Sequence, residues 1–234
     1  MAEFFNNFFF GIYPYIALSI LVVGSVLRYD RDPYSWKTGS SQLLRRKQLM
    51  LGSVLFHGGV LGILLGHAAG LLTPLWVWEV IGLSSGAKQM LAIVAGGAAG
   101  TFGIIGASLL VHRRFFDARV RATSSFSDNM IILLIWLQFV LGLSTIFISV
   151  QHLDGKEMLK FVNWLQGIVT LNPDAASYIL DVAPIYKAHI FLGLTIFIFF
   201  PFTRLVHMLS APFRYLWRTG YQIVRTKRDV PPAK

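Results

Sequence analysis

The stretch 49–72, Leu-Met-Leu-Gly-Ser-Val-Leu-Phe-His-Gly-Gly-Val-Leu-Gly-Ile-Leu-Leu-Gly-His-Ala-Ala-Gly-Leu-Leu, decides the fold. It contains no Asp, Glu, Lys or Arg, and it exceeds the roughly 20 apolar residues that carry a helix across the hydrocarbon layer. It lacks the period-two alternation of a barrel strand, and lipid tolerates only helices or closed barrels, so it reads as a spanning helix. Working outward, four more runs have the same character: 8–27, 90–111, 130–150 and 188–206. The composition agrees, with 55% hydrophobic and only 14% charged residues, where a soluble domain carries about a quarter charged. The expected fold is an all-α integral membrane protein, a five-helix transmembrane bundle over 1–210 followed by a basic tail, 211–234.

The formal charge of +10 would suggest nucleic acid in a soluble protein. Here its distribution sets orientation instead. Arg28, Arg31, Lys37, Arg45, Arg46 and Lys47 follow the first run, Arg113, Arg114, Arg119 and Arg121 follow the third, and Arg204, Arg214, Arg218, Arg225, Lys227, Arg228 and Lys234 follow the fifth. These seventeen of the 21 Lys+Arg share one face, and the other keeps only Lys88, Lys156, Lys160 and Lys187. The N-terminus is therefore expected outside and the C-terminus in the cytoplasm, in the inner membrane and with no nucleic acid partner. Met1-Ala2-Glu3 places no basic residue before the first run, so no cleaved signal peptide is expected. The long outer connection 151–187 is expected to form a short interfacial helix, with Trp164 and Tyr178 at headgroup depth.

There is no cysteine, which excludes disulfides, iron–sulfur clusters, covalently attached haem and thiolate metal sites within the chain. Any redox metal must be held by His, Met or oxygen. Six histidines occur, and ligating side chains inside spanning helices read as functional. His57 and His67 lie on the second run, and His189 and His207 bracket the fifth. Because these runs are antiparallel, depth pairs His67 with His189 near the outer face and His57 with His207 near the inner face. Two bis-histidine haems need such a set, with facing helices supplying the ligands. His189 and His207 are 18 residues apart, five turns of an α-helix, so they share one face; His57 and His67, 10 apart, miss a common stripe by about 80°.

Gly58, Gly62, Gly66 and Gly70 recur at every fourth position. They offer a groove for a flat macrocycle, but taken alone they read first as ordinary small-xxx-small helix packing. Lys88 stands near the depth of His67. It reads as a snorkelling anchor or as a donor to a quinone oxygen or haem propionate. Arg204 and Arg113, with Arg114, are the corresponding propionate candidates on the inner side, or else positive-inside anchors. His112 reads as an interfacial cation or propionate neighbour, and His152 as a loop residue.

Several strings carry a resemblance. Phe10-Gly11-Ile12-Tyr13-Pro14-Tyr15-Ile16, Leu27-Arg28-Tyr29-Asp30, Leu55-Phe56-His57 with Gly66-His67, Arg119-Val120-Arg121-Ala122-Thr123, Gln151-His152-Leu153-Asp154-Gly155 and Phe200-Pro201-Phe202-Thr203-Arg204-Leu205-Val206-His207 closely resemble the gamma subunit of membrane-bound respiratory nitrate reductase, a di-haem b quinol-oxidising anchor. The stretch 76–86 is less family-like. The resemblance implies two b haems, the outer on His67 and His189 and the inner on His57 and His207. It implies a quinol site at Lys88 with Gly66 lining it. It also implies an iron–sulfur beta subunit and a molybdenum alpha subunit on the cytoplasmic side, which receive the electrons while quinol protons leave outside. A di-haem anchor of a formate dehydrogenase, hydrogenase or heterodisulfide-type reductase is the second reading, and a haem-free membrane protein the third.

Overall fold

The computed structural model describes residues 1–36 and 44–210. Among these residues the protein is entirely helical, and five helices are long and apolar enough to cross a membrane. The expected tail 211–234 and Lys37 lie outside the described residues.

The first span combines α1 (Ala2–Asn7), a π-helical turn (Phe8–Ile12) and α2 (Tyr13–Arg31). The second is α3 (Arg46–His67), prolonged by a π-helical turn, Ala68–Leu72. A short α4 (Leu75–Val80) follows Pro74, and a tight turn leads into the third span, α5 (Ser85–Phe116), which Ser84 caps by accepting from the Ala87 N–H at 3.2 Å. On the far side α6 (Ala118–Ala122), capped by Asp117, leads to α7 (Phe126–Ser149), capped by Ser125. The long connection 151–187 contains α8 (Lys156–Val169), and the last span begins at α9 (Pro184–Phe199).

The expected straight fifth helix ends early. α9 stops at Phe199 and the chain continues as two 3₁₀ turns, Phe200–Phe202 and Arg204–Met208. Pro201 has no N–H to continue the ladder, and the loosened carbonyls find another donor: Arg28 of α2 donates to the Pro201 and Thr203 carbonyls, both at 2.8 Å. Gly24 makes room for the ring, since a Cβ there would lie 2.8 Å from Pro201 Cγ. His207 therefore does not share an α-helical face with His189.

The helices pack in the order α3, α5, α7, α9, α2, while α3 makes at most marginal contact with α9 or α2. Glycine explains the closest pair. A Cβ on Gly59 would strike the backbone of Gly103, and one on Gly106 would strike the backbone of Phe56 and Gly52. The glycines that recur every fourth residue divide differently. Gly62 abuts Ala99, but a Cβ on Gly58, Gly66 or Gly70 would meet nothing within 4 Å. Packing thus falls mainly on Gly59, and the Gly58, Gly66 and Gly70 positions border open space on α3.

α8 is longer than the expected interfacial piece and is bound to the bundle. Trp164 is 6% exposed, inside a cluster with Phe10, Ile168 and Ala176, and donates its indole N–H to the Phe10 carbonyl at 2.8 Å. It is a core residue, not a headgroup anchor, because the π-helical turn at Phe10 offers it an acceptor. Gln166 donates to the Leu71 and Thr73 carbonyls at 3.1 and 3.2 Å, which ties α8 to the end of the second span.

Candidate functional site

The four histidines expected to act together form two pairs. The rings of His57 on α3 and His207 on the final 3₁₀ turn have centroids 6.2 Å apart and are inclined at 77°. Those of His67, at the end of α3, and His189 on α9 are also 6.2 Å apart, inclined at 39°. An imidazole nitrogen meets a metal at about 2 Å and its ring centre lies about 1 Å behind it, so a shared metal sets two ring centres about 6 Å apart. Both separations suit two imidazoles that would share one metal. Among the described residues no group of three or more His, Cys, Asp or Glu could hold a metal ion, but a haem needs only the pair.

The donor atoms fit as well. His57 Nδ1 is 2.8 Å from the Ser53 carbonyl, His67 Nδ1 is 2.9 Å from the Ile63 carbonyl, and His207 Nδ1 is 2.5 Å from the Arg204 carbonyl. A carbonyl only accepts, so each Nδ1 carries the proton and each Nε2 presents a lone pair. His189 differs. Its Nδ1 is buried without a partner, and Gln138 of α7 donates to its carbonyl at 3.1 Å with the same amide nitrogen 3.4 Å from His189 Nε2. Gly142 lets α7 approach this ring, since a Cβ there would stand 3.0 Å from His189 Cε1.

At the His57/His207 end four arginines are engaged with other groups. Arg204 Nε donates to Asp128 Oδ1 at 2.5 Å, and Arg114 lies 3.5 Å from the other oxygen. Arg113 donates to the Leu44 carbonyl at 2.7 Å and Arg45 pairs with Asp117 at 2.6 Å. The amide of Val120, then Arg45, hold the Asp117 carboxyl below the ordinary carboxylate range. His112 stacks on Phe116 and meets Gln48 at 3.2 Å, away from both pairs.

At the His67/His189 end Lys88 is 4% exposed, and its Nζ has no hydrogen-bond partner among the described residues. A snorkelling anchor would hold its ammonium in the open; this one is buried, 5.1 Å over the ring of Trp78. Beside it Gln89 donates to the Ser149 carbonyl at 3.3 Å, and the Ser149 hydroxyl meets the Tyr186 hydroxyl at 2.8 Å. His152 is exposed in the turn before α8.

Asp128, Gln138 and Trp78 had no place in the sequence reading. Gln138 stood in plain view as a lone amide within the apolar run 130–150, the kind of intramembrane polar group that marks a site. Asp128 was masked by its position three residues after the capping Ser125. Trp78 gave no signal, because an aromatic at a helix end is ordinary in a membrane protein.

Residues 6–227 match the family described as nitrate reductase gamma subunit. The chain is 48% identical over 225 residues to respiratory nitrate reductase 1 gamma chain of Escherichia coli (strain K12), covering 96% of this chain and 99% of that one. It is 46% identical over 228 residues to respiratory nitrate reductase 2 gamma chain of the same organism, covering 97% and 100%. To nitrate reductase gamma chain of Bacillus subtilis (strain 168) it is 38% identical over 218 residues, covering 93% and 96%.

Proposed function

The chain belongs to the nitrate reductase gamma subunit family, and from that premise we propose that it is the quinol-oxidising cytochrome b anchor of a respiratory nitrate reductase in the inner membrane. His67 with His189 hold the outer haem b, and His57 with His207 the inner one. When bound, the two haems supply one-electron transfer across the membrane, from quinol to the partner subunits. The observation that carries this reading is the repeated geometry, two histidine pairs with centroids 6.2 Å apart on the same pair of spans.

The side chains do the positioning. The carbonyls of Ser53, Ile63 and Arg204 fix three of the imidazoles with Nε2 available. Lys88, at the same end of the bundle as His67, offers a buried cation to a quinol oxygen, and Gly66 leaves the space beside His67 unfilled. Arg204, three residues before His207, and Arg113 are the cations that would serve haem propionates at the inner end. For Arg113 the bond to Leu44 favours the anchoring role. The excess of Arg and Lys at the His57 and His207 end turns that end to the cytoplasm. There the iron–sulfur beta and molybdenum alpha subunits dock, so quinol protons are released outside while electrons leave inward.

The test is a reduced-minus-oxidised spectrum of the purified complex together with quinol:nitrate activity. Two b-type components that quinol reduces are expected. A complex without b-type bands overturns the reading.

A further inference from the structure

The stretch between the second and third spans leaves one contact unexplained by folding alone. Lys88 Nζ and the indole nitrogen of Trp78 are both buried and both without a hydrogen-bond partner among the described residues. Burying an ammonium with no acceptor is unfavourable, and a ring face is one of the few protein surfaces that attracts a cation without accepting a hydrogen bond from it. Trp78 provides that face at 5.1 Å, while the ammonium's donors stay free for a ligand.

The local chain holds the two residues in register. Leu83 N–H donates to the Trp78 carbonyl at 2.9 Å, and Gly82, with φ of +80°, closes the turn between α4 and α5. Ser84 then starts α5, and its carbonyl accepts from the Lys88 N–H at 2.9 Å. The turn cannot drift outward either. A Cβ on Gly86 would lie 2.9 Å from the Leu153 carbonyl, so the loop before α8 presses directly on it.

We propose that Trp78 is the positioning residue of the quinol site, its indole face holding the Lys88 ammonium where it meets a quinol oxygen. The inference rests on the quinol role of Lys88 proposed above. Trp78 touches the cation and not the reacting atoms. Its removal therefore weakens quinol binding more than turnover, and it has no effect once Lys88 is gone.

The experiment uses the intact membrane-bound complex with a soluble quinol analogue, and compares Lys88→Ala, Trp78→Leu, Trp78→Phe and the Lys88→Ala/Trp78→Leu double variant. Lys88→Ala lowers kcat/KM by at least about tenfold, as loss of a charged donor does. Trp78→Leu raises KM about tenfold, within the range of a desolvated cation–π contact, with kcat within about twofold and the b-type spectrum unchanged. Trp78→Phe, with a weaker ring, raises KM about threefold. The double variant is no worse than Lys88→Ala. Unchanged kinetics in Lys88→Ala overturn the quinol reading and this inference with it. A full effect in Lys88→Ala with a parental KM in Trp78→Leu overturns the inference alone, as does a double variant whose losses simply multiply. Should Trp78→Leu not assemble, Trp78→Phe decides: a raised KM supports the positioning role and a parental KM refutes it.

Discussion

The two ends of the bundle solve the same problem in opposite ways. At the His57/His207 end the charged groups that hold the turns together are bonded to other groups of the bundle. Arg28 satisfies the carbonyls released at Pro201, Arg204 holds Asp128, and Arg45 holds Asp117. His207 is carried on a broken helix, yet its ring is fixed through the carbonyl of Arg204, a residue itself clamped to α7. At the His67/His189 end the helix bearing His189 is regular. Buried polar atoms without a hydrogen bond occur at both ends, Trp36 Nε1 and Asn129 Oδ1 at one and His189 Nδ1 and Gln138 Oε1 at the other, but the buried charge with neither a hydrogen bond nor an ion pair among the described residues is Lys88 Nζ, at the His67/His189 end. A buried cation without an acceptor suits a ligand that brings its own oxygen atoms.

That contrast breaks most visibly under ligand removal. His57→Ala is expected to delete the inner b component and His67→Ala the outer one, each abolishing quinol-driven nitrate reduction, with haem content and redox titration as the measurement. Only His67→Ala should also weaken binding of a quinol-site inhibitor. Equal effects of both on that inhibitor would erase the difference between the ends.

A second, smaller effect probes the inner clamp. Asp128→Asn frees Arg204 and is expected to reduce inner-haem occupancy or electron delivery about tenfold, the scale seen when outer-shell partners of a metal ligand are lost. The outer b component should titrate as before. A shift confined to the outer component would show that the clamp has been placed at the wrong end.

The smallest effect is a matter of pH at the connection between α8 and α9. Lys160 of α8 binds Asp181 at 3.0 Å, and this hydrogen bond holds the Asp181 carboxyl below its ordinary range. A carboxylate lowered on folding stabilises the fold above its unfolded value of about 3.9, and that contribution disappears as pH falls through the lower folded value. Amide protection in the segment joining α8 to α9, taken relative to the intrinsic exchange rate at each pH, should therefore fall only at strongly acidic pH. In Asp181→Asn it should be slightly lower already at neutral pH and show less of the acid step.

The sequence made the five spanning helices and the pairing of the four histidines legible, because hydropathy and antiparallel order suffice for both. It misjudged what depends on partners across the bundle. The end of α9 follows from Pro201, visible in the sequence, but its consequence for His207 required Arg28 of another helix to accept the break. The glycine repeat looked uniform, yet Gly59, outside it, makes the tightest contact with α5, while Gly58, Gly66 and Gly70 face open space. Trp164 resembled an interfacial anchor until the π-helical turn at Phe10 supplied its acceptor. Lys88 was readable as a rare outer cation. Its burial and its ring partner were not, since both depend on how the 81–84 turn folds back.

The main-chain acceptors behind His57, His67 and His207 have a consequence for variation among relatives. Ring direction at these three positions is dictated by a carbonyl three or four residues upstream, which every amino acid possesses. Neighbouring side chains can therefore drift through many substitutions without retuning the imidazole, provided the local helix persists. His189 lacks that insurance. Its surroundings, Gln138 and Gly142 on a different helix, must change together or not at all.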